Sequence, residues 1–168
     1  RGDVYLSVGA ARALLGALAS SNISHVVMTD LVPEVVLYNQ IGVILLKLAR
    51  NLEHLEKLRQ ATFAQWQQAA QAANLNFRER NLLNSPLIHS LYSSLEAGAR
   101  ERLQLRDYFN GLNFFKDPAA FSRLKAMADA GRIQVLEGNL QDPEFISRLA
   151  GQLKALGLTV AVVDFSNA

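Results

Sequence analysis

The stretch that most constrains this chain is Val4 to Asp30. A short apolar run, Val4 to Val8, ends at Gly9. Small residues and an amphipathic segment follow, and a second apolar run from Ile23 closes in Thr29-Asp30. The pattern predicts strand, tight turn, helix, strand, with an acid at the tip of the second strand. In an open parallel sheet such a unit makes a nucleotide site. The turn lets a ligand approach the backbone, and the helix N-terminus offers free N–H groups. An acid about 20 residues past the glycine can accept hydrogen bonds from a ribose.

The rest of the chain repeats the alternation. The first helix is expected over Ala11 to Ala19, with Leu14, Leu15 and Leu18 spaced to cover the sheet, and the second strand over Ile23 to Thr29. Pro33 suits the first turn of a helix reaching to about Asn51, because its missing N–H has no partner there anyway. Gly42 inside that helix predicts close packing against a neighbour. Asp117-Pro118 and Asp142-Pro143 each start a helix, ending at Gly131 and near Gly157. Strands three and four are expected over Arg132 to Leu136 and Thr159 to Val163. Between strands two and three lie roughly 55 residues with only helical signals, far more than a connecting loop needs. This insert, residues 52–108, is read as a lid, a partner surface or a plain buttress, with Asn74 to Asn84 as a polar break. Glu53, Glu56, Lys57 and Arg59 read as a solvated face, and Tyr108, Asn110 and Asn113 as a polar-aromatic cluster after the insert.

Strands alternating with helices imply a single α/β domain: a three-layer, Rossmann-like parallel sheet with right-handed crossovers and strand order 3-2-1-4. The strands are expected to be short and buried, the third and fourth at opposite edges, and the insert to pack at one side without interrupting the sheet. With 168 residues, half of them hydrophobic, the chain can bury a sizeable core. A net charge of +2 without a block of like charges gives no support to nucleic-acid binding. The longest apolar run, Ile41 to Leu46, is far short of the about 18 residues of a membrane span. No cysteine is present, and His25, His54 and His89 lack metal-ligand spacing, so no metal is expected. His25 inside strand two reads as a packed imidazole. The chain starts at Arg1 on its first strand and stops soon after an apolar run, as a fragment of a longer product would.

Ligands in such sheets bind outside the carboxyl ends of the strands. The four ends here are Ser7-Val8-Gly9-Ala10, Thr29-Asp30, Glu137-Gly138-Asn139 and Asp164-Phe165-Ser166-Asn167. Their order resembles a class I S-adenosylmethionine-dependent methyltransferase. Val4-Tyr5-Leu6-Ser7-Val8-Gly9 is similar to that family's first motif, reduced to one glycine and without a preceding acid. Asp30 sits where the family's ribose-binding acid sits, and Glu137-Gly138-Asn139-Leu140 resembles its adenine-bordering loop, with Asn139 in place of the acid. Asp164-Phe165-Ser166-Asn167 lies where some members carry an Asp/Asn-Pro-Pro-Tyr motif, but has neither proline nor the final aromatic. With Ala130-Gly131-Arg132-Ile133 and Phe165-Ser166-Asn167-Ala168, these runs are similar to bacterial proteins with a methyltransferase-like core.

The resemblance implies S-adenosylmethionine as cofactor, held by Ser7, Gly9, Asp30, Asn139 and Asp164. It puts Asp164 and Asn167 nearest the reacting centre, with a small-molecule or protein acceptor and a cytoplasmic location. Two other readings stand beside it: a non-catalytic interaction module whose insert binds a protein partner, and an NAD-dependent oxidoreductase, which Asp30 permits and the absent glycines oppose.

Overall fold

The computed structural model describes residues 2–9, 12–104 and 117–165. Strand β1 (Val4–Val8) leads through α1 (Arg12–Leu18) to β2 (His25–Asp30). Helix α2 (Pro33–Leu48) opens a run of five consecutive helices, continuing with α3 (Leu52–Arg59), α4 (Phe63–Ala72), α5 (Phe77–Leu83) and α6 (Pro86–Gln104). Helix α7 (Pro118–Asp129), β3 (Ile133–Glu137), α8 (Pro143–Ala155) and β4 (Val160–Asp164) complete the order. The sheet is four-stranded and parallel in the order β3-β2-β1-β4, as expected.

Helices α1, α2 and α7 cover one face, where Tyr5, Val26, Met28 and Ile133 join the larger core. Among the described residues helix α8 alone covers the other face, setting Phe145, Leu149 and Leu153 on Val4, Leu6 and Val27. The insert α3–α6 stacks outside α2, and the sheet runs uninterrupted beneath. Its Leu55, Leu58, Trp66, Leu83 and Tyr92 belong to the same hydrophobic cluster as the sheet's inner face, so insert and core are packed as one body.

The expected helix starts hold: Asp117 and Asp142 accept hydrogen bonds from the N–H groups of Ala119 and Glu144 at 2.8 and 2.9 Å. Four expectations are corrected. The helix from Pro33 stops at Leu48, because Asn51 caps a new helix by accepting from His54 N–H. Asn74 to Asn84 is not a polar break: it contains α5, opened by a reciprocal capping box between Asn76 and Glu79, with Glu79 also bonded to Lys47 of α2 at 2.6 Å. Arg59 is not on a solvated face but buried against Glu96. The fourth strand is not buried either. Among the described residues β4 pairs only with β1, and Val160, Val162 and Val163 are exposed.

Gly42 also departs from expectation. A Cβ built there meets no atom within 4 Å, because the residue borders a void of about 40 Å³ among Met28, Tyr38, Leu55 and Tyr92. Gly42→Ala therefore removes the helix penalty of glycine without a clash. It is expected to stabilise the fold by about 1 kcal/mol and to raise the melting midpoint by about 2–4 °C in a thermal scan. Among the described residues no helix is long and apolar enough to cross a membrane.

Candidate functional site at the strand ends

Parallel pairing brings the four strand ends to one edge. Val8 lies opposite Thr29, Ser7 opposite Asp164 and Asp30 opposite Glu137. Around them a cleft of about 300 Å³ is bounded by Val8, Asp30 to Val32, the loop Gly138 to Gln141, and Phe165. Each wall is fixed by local chemistry. Asp30 turns the chain by accepting the Val32 N–H on Oδ1 at 2.9 Å, and its Oδ2 has no partner among the described residues. Asn139 makes the same kind of turn, its Oδ1 accepting the Gln141 N–H at 2.8 Å. The Gly138 N–H donates to the Asp30 carbonyl at 3.0 Å, tying the two walls together. A Cβ on Gly138 would sit 2.1 Å from the Phe145 ring, so this loop lies flat on α8 only as glycine.

Gly9 has φ 98°, in the region that favours glycine. Its N–H donates to the Thr29 carbonyl at 3.0 Å and its carbonyl accepts from Asn39 Nδ2 at 2.8 Å. The turn after β1 is thus held by β2 below and α2 behind. Asn39 was not foreseen from sequence. Its signal is a polar residue on the apolar stripe of α2, between Val36 and Val43. The rim side chains Leu31 and Phe165 were likewise not singled out, yet they are 61% and 53% exposed and give the cleft apolar lips.

The remaining expected site residues are placed differently. Ser7 is fully buried, its hydroxyl 3.3 Å from the Val8 carbonyl, so it supports the strand end from inside. Asp164 is not among the described residues that line the cleft, and its Oδ2 accepts the Tyr5 hydroxyl at 2.8 Å. That hydroxyl passes over Gly16 of α1, where a Cβ would come within 2.0 Å of it. Asn167, Ala10, Tyr108, Asn110 and Asn113 lie outside the described residues. Among the described residues no three His, Asp or Glu side chains gather as metal ligands.

The cleft therefore joins one carboxylate, the two side-chain amides of Asn139 and Gln141 and two apolar lips, with no Lys or Arg among the described residues of its wall. No curated protein matches the chain. The strand-turn-helix unit, the insert and the four strand ends all fall within residues 1–168, which match the family described as Domain of unknown function (DUF7790), and the chain belongs to that family.

Proposed function

We propose that the strand-end cleft binds S-adenosylmethionine and that the chain is methyltransferase-like. The observation that carries this reading is the charge of the wall: a carboxylate with a spare oxygen, two amides and, among the described residues, no cationic side chain. A dinucleotide brings a pyrophosphate, which needs cations or free backbone N–H groups. Here the Gly9 N–H is already given to Thr29. A nucleoside carrying a sulfonium and an ammonium, with no phosphate, suits the same wall. Asp30 Oδ2 accepts from the ribose hydroxyls, while Leu31, Leu140 and Phe165 give apolar surface to the adenine beside Asn139.

The bound cofactor supplies an electrophilic methyl group, whose transfer to an acceptor nucleophile leaves a neutral thioether. What the chain contributes is position: strand ends fix the nucleoside so that an acceptor can approach in line. Asp164, held by Tyr5, lies at the end of β4 beside that approach. No nucleic acid takes part, and a cytoplasmic setting goes with this reading.

A second reading has its own observation. Phe77 and Leu87, at the starts of α5 and α6, are 81% and 78% exposed, which favours an interaction module using the insert. Calorimetry separates the two. The methyltransferase reading expects S-adenosylmethionine or its demethylated product to bind at micromolar strength, with NAD much weaker. Losing a hydrogen bond to a charged group costs roughly 1.5–3 kcal/mol, so Asp30→Ala weakens binding about ten- to a hundredfold. Equal binding by wild type and variant removes Asp30 from the site, and no binding of either cofactor leaves the interaction module standing.

A further inference from the structure

A second cavity, about 560 Å³, lies at the opposite end of the sheet. Among the described residues α8 is the single helix on its face, and it leaves the sheet beside it, at β2 and β3, partly uncovered. Val27, Leu136, Leu149 and Leu153 line it, and its volume falls in the range that holds small organic ligands.

Among the described residues its rim carries one cation. Arg132 stands just before β3, exposed, and makes no ion pair among the described residues. His25 opens β2 with its Nδ1 2.9 Å from the Ser24 hydroxyl, leaving Nε2 without a partner among the described residues. The two side chains are close enough for the Arg132 charge to disfavour the imidazolium, an effect second to burial and partly opposed by Asp3. Among the described residues no carboxylate lines the cavity. An apolar trough with an unpaired guanidinium at its lip matches a ligand with a hydrocarbon body and one anionic head.

We propose that this groove binds a small amphiphile, its apolar chain along Val27, Leu136, Leu149 and Leu153 and a carboxylate head at Arg132 and His25. The groove shares no lining residue with the strand-end cleft, so the proposal does not depend on the methyltransferase reading.

Octanoate is the probe. Added to the full chain with amide shifts followed by NMR, it is expected to move Gly131, Gln152 and Leu158 saturably while Asp30 and Asn139 stay fixed. Octan-1-ol, with the same chain and no charge, is expected to bind about tenfold more weakly, as a single charge-assisted contact at an exposed rim implies. Arg132→Gln should bring octanoate down to the level of the alcohol. Ala155→Trp, at an exposed position on the groove wall, should abolish both, with urea melts confirming that each variant folds. Octanoate and octanol binding alike to the wild type overturns the assignment of the head group. Octylammonium binding as tightly as octanoate, shifts confined to other surfaces, or no saturable shift at millimolar octanoate overturns the site.

Discussion

Glu96→Ala is expected to lower the unfolding free energy by about 3–5 kcal/mol, because it removes the buried carboxylate that neutralises a buried guanidinium. Arg59 and Glu96 are 9% and 5% exposed, and Arg59 Nη2 lies 2.5 Å from Glu96 Oε1. That contact is an ion pair rather than a well-directed hydrogen bond. The Tyr38 hydroxyl donates to Oε2 at 2.8 Å, and burial, reinforced by Glu96, pushes its pKa well up, so it stays a donor at any ordinary pH. Glu56, 3.6 Å from Nη1 and partly exposed, is too solvated to replace Glu96. Urea denaturation of wild type and variant measures the loss. The double variant Arg59→Met/Glu96→Leu removes both charges together and should recover most of it, since an apolar pair of similar volume is often no less stable than the ions. A loss below about 1 kcal/mol in the single variant would mean that water reaches the pair. The pair joins α3 to α6, and through Tyr38 to α2, the helix that carries Asn39 to the Gly9 turn. Insert stability and site geometry are therefore coupled through one helix.

None of this coupling was visible in the sequence. Arg59 and Glu96 each sit on a helix of mixed composition, and a single sequence does not say which charges face each other across 37 positions. The alternation of apolar runs with Pro-started helices was legible, since Pro33, Pro118 and Pro143 act through their own backbone geometry. The strand order came with the Rossmann-like reading, since the handedness of crossovers fixes only which face each helix takes. Breaks inside the insert were partly legible. Thr62 with Gln65 and Asn76 with Glu79 are local capping pairs, but the exposed Phe77 and polar neighbours hid the second behind the look of a loop. Val160 to Val163 reads as a buried strand because a run of valines does not say what covers the faces of an edge strand. At the site, strand-end position was legible and side-chain direction was not. Ser7 shares a face with Tyr5 by the period of two, which buries it, and Asp164 follows the Tyr5 hydroxyl.

The turn after β1 should fail most completely on substitution. At φ 98° a β-branched side chain is strained, at a cost of about 1–3 kcal/mol, so Gly9→Val must distort the turn or relax it. Relaxation is costly as well. Rotating Gly9 out of this conformation breaks its N–H bond to Thr29 and withdraws the carbonyl that satisfies the buried Asn39 amide, about 1–3 kcal/mol more if that amide is left unpaired. Either way the backbone next to Val8, which lines the strand-end cleft, moves. Gly9→Val is expected to lower the urea midpoint and to abolish calorimetric binding of the demethylated cofactor. Asn39→Ala withdraws the same support from the other side and should weaken binding with a smaller loss of stability. The contrast with Gly42 is diagnostic, because there a side chain meets empty space and the sign reverses. If Gly9→Val bound the cofactor as wild type does, the turn would lie outside the site. The cleft would then have to be rebuilt around Asp30 and the Gly138 loop alone.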